Sequence, residues 1–151
     1  QSIAKYDAVF INGNEVDNSN LKLLIREYNK DIKIFESHYE PTNIDLFNNK
    51  ERYLIFSGIG NPESFKDLLI RNKFNVIKEI IFPDHYTYTQ IDIDKIKLQA
   101  KNLNAKIITT EKDYSKIDSH INKDIKFLQI DLNIKDEIKL IDYLKLNIWN
   151  Q

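Results

Sequence analysis

Glycine and proline are scarce in this chain, three of each in 151 residues, and four of the six fall in two short segments. These are Phe56-Ser57-Gly58-Ile59-Gly60-Asn61-Pro62-Glu63 and Phe82-Pro83-Asp84-His85-Tyr86. Each follows an apolar run of β character and precedes a helical pattern, so each is a strand-to-helix junction. A third polar junction, Thr109-Thr110-Glu111-Lys112-Asp113, ends another apolar run. Strands alternating with helices imply βαβ units and a parallel sheet covered on both faces. Open sheets of this kind take their ligands at the carboxyl ends of the strands. Three chemically loaded junctions on one edge therefore mark a site.

Strands are expected over residues 6–11, 31–40, 52–57, 76–82, 106–109 and 125–130. Leu21, Leu24, Ile25 and Tyr28 recur at helical spacing. Pro62 suits the first turn of a helix whose apolar face is Phe65, Leu68 and Leu69. Thr89 can cap a helix with Ile93, Ile96, Leu98, Ala100 and Leu103 inward, and residues 134–148 read as a last helix through Ile138, Ile141, Leu144 and Ile148. The fold class expected is α/β: a Rossmann-like, three-layer α/β/α arrangement with a mostly parallel sheet of about six strands. A chain of this length suits one domain, residues 1–151, burying about 70% of its unfolded surface. The polar stretch 42–50 is the one candidate linker.

Composition narrows the function. Basic and acidic residues number 22 and 23, for a net charge of -1, so no bulk field favours nucleic acid or an anionic membrane. Cysteine is absent, which excludes disulfides, thiolate zinc sites and cysteine nucleophiles. No apolar run approaches the ~20 residues needed to span a bilayer, which fits a cytosolic or cytosol-facing location. The chain begins with Gln1 and contains no Met, which leads to the expectation of a piece of a longer polypeptide. It carries no Gly-x-x-x-x-Gly-Lys-[Ser/Thr] and no Gly-x-Ser-x-Gly, so neither a P-loop nor a nucleophile elbow is present in it.

At the first junction, Gly58 and Gly60 flank a single residue and let backbone approach a ligand, while Asn61-Pro62 opens a helix whose amino end suits an anion. A tight turn with no ligand explains the same residues, because Glu63 stands where the dinucleotide fingerprint has its third glycine. At the second, Asp84 and His85 adjoin at a strand terminus, where an imidazole can accept, donate or orient a proton. A hydrogen-bonded structural histidine is the plainer alternative. No second His or Cys lies at ligand spacing, so no metal site is assigned. Thr110 and Lys112 offer a hydroxyl and a cation at the third junction; Lys112 can meet a phosphate or pair within its loop with Glu111 or Asp113. Tyr86 and Tyr88 either wall a pocket or pack. His38 and His120 read as surface residues.

Taken in order, the glycine segment through Phe65, the Phe82–Tyr86 segment and the Thr109–Asp113 segment resemble the tetraacyldisaccharide 4'-kinases, the lipid A 4'-kinases. Residues 4–12 also resemble the segment just past that family's kinase lobe. Ser64, where a basic residue is common, and Thr87 depart from the pattern. The resemblance covers essentially the whole chain but only the carboxyl-terminal half of the family. It implies transfer of the γ-phosphate of ATP to the 4'-hydroxyl of a tetraacyldisaccharide 1-phosphate, giving lipid IVA for lipopolysaccharide, with Mg2+, at the cytoplasmic face of the inner membrane. P-loop, magnesium-binding acids and membrane-contacting helix would lie in an amino-terminal domain of the same polypeptide, leaving this piece inactive alone. By the same resemblance His85 would partner an aspartate of that domain in activating the hydroxyl, with Asp84 beside it. The two domains would face each other across a cleft holding nucleotide and lipid, shaped by Gly58, Gly60 and Asn61, and these three with Thr110 and Lys112 are the residues expected to bind the nucleotide. The competing expectation is a free-standing nucleotide- or sugar-phosphate-binding α/β module without catalysis; a purely structural domain is a third.

Overall fold

A computed structural model describes residues 3–13 and 18–148. The chain divides into two compact units, residues 1–40 with 131–151 and residues 41–130.

In the first unit, strand β1 (Ala8–Asn12) leads through helix α1 (Ser19–Tyr28) to strand β2 (Lys33–Pro41), and β1 and β2 pair in parallel. Later in the chain, strand β7 (Ile130–Lys135) adds beside β2, and helix α5 (Glu137–Ile148) follows. A small core of Ile11, Ile25 and Ile32 holds this unit together. Of the apolar residues at helical spacing on α1, Ile25 is buried, whereas Leu21, Leu24 and Tyr28 are exposed. The expected helix over 134–148 begins late. Ile130, Leu132 and Ile134 alternate with polar residues and form β7, and Asp136 turns the chain in the left-handed region at φ 57° before α5 starts. Ile138 and Ile141 are exposed on α5.

The second unit carries the three polar junctions. Its strands are β3 (Arg52–Ser57), β4 (Asn75–Ile81), β5 (Lys106–Thr110) and β6 (Ile125–Leu128), paired in parallel in the order β4-β3-β5-β6. The connections are helix α2 (Pro62–Arg71), helix α3 (Gln90–Asn102) and the single-turn helix α4 (Glu111–Tyr114). Alternate residues of each strand face opposite sides of the sheet. Leu54 and Phe56 of β3 and Ile107 of β5 pack with Ile93, Ile96 and Ala100 of α3. Tyr53 and Ile55 of β3 and Ile108 of β5 pack instead with Phe65, Leu68 and Leu69 of α2. Three layers result, and both faces of β3 are closed, which is why its Tyr53–Phe56 segment is a continuous apolar run rather than an alternation. Leu98, expected inside, is exposed.

Sequence leads to one sheet of about six strands; the described residues form seven strands in two sheets, of three and four. Periodicity identifies strands one at a time, whereas pairing is a long-range property. The stretch 42–50 packs on the second unit: Ile44 and Phe47 join its core, and Asn43 bonds Phe127 and Gln129 at the end of β6. Both helices that flank the site start cleanly. Thr89 and Asp92 form a reciprocal capping box on α3, and Asn61 caps α2 through the Ser64 amide.

Candidate functional site

The chain runs from β3 to β4 on one side of the sheet and then crosses β3 to place β5 on the other. A strand-order switch therefore lies between β3 and β5, and crevices outside the carboxyl ends of strands at such a point receive ligands in open α/β sheets. All three junctions follow strands of this group.

They are also bonded to one another. The Gly58 amide donates to Asp113 Oδ2 at 2.9 Å, while the Gly58 carbonyl accepts from the His85 amide at 3.2 Å. No glycine among the described residues has positive φ, so Gly58 is required by space rather than by backbone conformation. A Cβ there would lie 3.0 Å from the Pro83 carbonyl oxygen and 3.0 Å from the Tyr88 hydroxyl. Gly60 is less constrained, its Cβ meeting only Asp84 Oδ2 at 3.4 Å. Asn61 is exposed and spends its side-chain oxygen on the Ser64 amide at 3.3 Å.

His85 holds a left-handed backbone, φ 60°, which a non-glycine residue adopts only where its neighbours fix it. Two acceptors do so, the Gly58 carbonyl and Asp84 Oδ1, the latter 2.9 Å from the His85 amide. The ring points outward, its side chain 76% exposed. Asp84 Oδ2 stands 3.7 Å from Nε2, an electrostatic contact beyond hydrogen-bond length. Lys112 Nζ lies 3.5 Å from Asp84 Oδ1. Lys112 thus reaches an acid of another junction, not Glu111 or Asp113 of its own loop. An imidazole, a carboxylate and an ammonium share this exposed edge.

Behind them lies a closed network. Asp113 is the one buried charged residue among the described residues. Its Oδ2 accepts from the Gly58 amide and, at 2.8 Å, from the Thr110 hydroxyl; its Oδ1 takes the Lys116 ammonium at 3.0 Å. Burial pushes the carboxyl up, but the donors of Gly58, Thr110 and Lys116 outweigh it and hold Asp113 below the usual carboxylate range. Thr110 also caps α4 through the Asp113 amide at 3.1 Å. The Gly58 amide and the Thr110 hydroxyl are therefore already engaged within the chain. Thr110-x-x-Asp113 has the form of a capping box, the signal by which Asp113 is recognisable as a structural acid in the sequence.

Tyr86 and Tyr88 pack. They join Phe56 and Phe82, with ring centroids 5.3 Å apart for Phe56–Tyr88 and 5.4 Å for Tyr86–Tyr88. The Tyr88 hydroxyl is buried and makes no hydrogen bond; burial first, and then the charge of Asp113, push its phenol far above the ordinary value. His38 pairs with Glu40, and His120 is exposed. Among the described residues, no three His, Asp or Glu side chains gather to hold a metal ion. Asp84 and Asp113 are committed to cations and amides of the chain itself, so a divalent ion does not fit this edge unaided.

Fold and edge together define a Rossmann-like α/β arrangement with a polar edge at a strand-order switch. A family model described as tetraacyldisaccharide-1-P 4'-kinase matches residues 1–148, and the chain belongs to that family. Tetraacyldisaccharide 4'-kinase of Pelagibacter ubique is 41% identical over 150 residues, covering 99% of this chain and 48% of that protein. The enzyme of the same name from Rickettsia typhi is 39% identical, over 69% of this chain and 32% of its own length. The chain thus spans less than half the length of these relatives, matching their carboxyl-terminal portion. A crystal structure of LpxK from Aquifex aeolicus in complex with ATP has the same fold, with a TM-score of 0.61 over 94% of this chain and 42% of that one at 20% identity.

Proposed function

We propose that this chain is the carboxyl-terminal portion of an ATP-dependent tetraacyldisaccharide 4'-kinase and is inactive without the amino-terminal portion. The observation that carries the reading is the outward His85 imidazole, on a backbone held by the Gly58 carbonyl at the switch point of a chain matched to the family over residues 1–148. In the reaction, the 4'-hydroxyl oxygen of tetraacyldisaccharide 1-phosphate forms a bond to the γ-phosphorus of ATP as the bond to the ADP oxygen breaks. Phosphoryl transfer depends on positioning and electrostatics more than on covalent chemistry. His85 holds the hydroxyl and receives or passes on its proton, together with an aspartate of the amino-terminal portion. Asp84 supports the imidazole electrostatically. Lys112, half-exposed beside Asp84, supplies positive charge toward phosphate, and the Gly60–Asn61 turn shapes the wall of the cleft. Gly58 and Thr110 contribute by holding that wall in place.

Mg2+ neutralises phosphate charge in reactions of this class; its ligands are assigned to the amino-terminal portion, since the acids of this edge are already paired. No helix among the described residues is long and apolar enough to cross a membrane; contact with the inner membrane is assigned to the amino-terminal portion, while His85 meets the substrate at its 4'-hydroxyl.

Two measurements test the reading. The chain joined to its upstream sequence transfers phosphate from ATP to tetraacyldisaccharide 1-phosphate, and the 151-residue chain alone does not. Titration of the chain alone with Mg-ATP then shows no micromolar binding. Micromolar binding without transfer by the longer protein supports the non-catalytic nucleotide-binding module instead.

A further inference from the structure

Asp113 and His85 do not touch, yet one residue joins them through both of its backbone polar groups. Gly58 gives its amide to Asp113 Oδ2 and takes the His85 amide on its carbonyl. The two bonds belong to successive peptide planes, so a shift of the Gly58 amide turns the carbonyl that holds His85. A second connection leaves the same helix turn: Lys112, the neighbour of Asp113, contacts Asp84 Oδ1, the atom that also accepts the His85 amide. His85 depends on these acceptors because its left-handed backbone is intrinsically disfavoured.

We infer that Asp113 is a positioning residue for His85, acting through the Gly58 peptide and not by contact with substrate. The inference rests on the kinase reading only for the consequence in catalysis; the mechanical coupling stands on the hydrogen bonds alone. Aspartate fits the place because all three side-chain partners are donors: an amide, a hydroxyl and an ammonium. An asparagine can satisfy Gly58 and Thr110 with its oxygen only by turning its own donors toward Lys116. Every strong alternative partner of the carboxylate is inside the chain, so its buried charge is explained without a ligand.

The test compares wild type with Asp113→Asn by amide hydrogen exchange on the 151-residue chain and by kinetics on the chain joined to its upstream sequence. Loss of one charge-assisted hydrogen bond predicts exchange at Gly58 and His85 faster by ~10-fold, with Leu54 and Ile108 in the core changed less than ~2-fold. Small misplacement of a reacting group predicts kcat lower by ~10-fold or more with KM for ATP nearly unchanged. Faster exchange at Gly58 with His85 exchange and kcat unaltered overturns the inference. If Asp113→Asn does not fold, Thr110→Val removes one donor to Oδ2 and is expected to give a ~3-fold change at both amides; no change at His85 again overturns it. Failure of the wild-type longer protein to transfer phosphate rejects the kinase reading, while the exchange data still decide the coupling.

Discussion

Gly58 lies against the hydroxyl of Tyr88 so closely that a Cβ on the glycine would sit 3.0 Å from that oxygen. The same methyl would meet the Pro83 carbonyl at 3.0 Å and Tyr86 Cβ at 3.3 Å. Backbone and buried rings cannot step aside as the tip of a surface side chain can. Gly58→Ala is therefore expected to cost about 1–3 kcal/mol through overpacking. Gly60→Ala meets only the end of Asp84 at 3.4 Å and is expected to stay within about 0.5 kcal/mol of wild type. Urea unfolding of the two variants checks the contrast; equal effects would remove the packing argument.

Tyr88 supplies the second prediction. Its hydroxyl is buried without a hydrogen bond, a loss that Tyr88→Phe removes, so the variant is expected to be neutral or more stable. It also clears the oxygen that a methyl at Gly58 would strike. The double variant Gly58→Ala with Tyr88→Phe should recover about 0.5–1 kcal/mol relative to additivity. The phenol carries a pH signature too. Its folded value is raised, by burial first, so its contribution is complete below the unfolded value near ~10 and is lost as pH rises beyond it. Alkaline destabilisation should accordingly be shallower in Tyr88→Phe than in wild type.

Much of the second unit is legible in sequence for a physical reason. Tyr53–Phe56 form a continuous apolar run because both faces of β3 are covered, and the strand bounds read around it, 52–57, match the structure. Phe65, Leu68 and Leu69 fall on one side of α2, as their spacing requires. The junction residues are legible because Gly and Pro punctuate a chain that otherwise has almost none. What is not legible depends on distance along the chain. Asp113 and Gly58 are separated by 55 residues, and nothing local shows that one caps the other. Leu98 is apolar and lies on α3 but points to solvent, since periodicity gives a stripe and not its width. The start of α5 is misplaced because two patterns abut: the alternation Ile130, Leu132, Ile134 is a strand signal that runs into a helical one with only Asp136 between them.

Asp113 gives the third prediction, at acid pH. Its folded value is lowered: burial raises it, and the Gly58, Thr110 and Lys116 donors more than reverse that. A lowered folded value means the stabilisation is fully present above the unfolded value near ~4 and is lost as pH falls through the folded one. The stability difference between wild type and Asp113→Asn should therefore be largest near neutrality and shrink below about pH 4. Urea midpoints for both proteins from neutral pH downward measure it. A difference independent of pH would mean that the carboxylate charge is not what holds the Gly58 turn.

His85 permits a separation of ring from backbone. At φ 60° alanine is a poor replacement, whereas asparagine enters the left-handed region readily because its short polar side chain bonds locally. The side chain is largely exposed, so removing the ring opens no cavity. His85→Asn is expected to keep wild-type stability to within about 0.5 kcal/mol, and His85→Ala to lose about 1 kcal/mol through the turn. If the imidazole handles the substrate proton, both variants lower kcat of the longer protein by ~10²–10⁴-fold, regardless of their difference in stability. If the histidine serves only to shape the loop, His85→Asn retains wild-type kcat while His85→Ala does not. Steady-state kinetics of the two variants side by side, with unfolding measured on the same preparations, therefore distinguishes a proton-handling group from a turn residue.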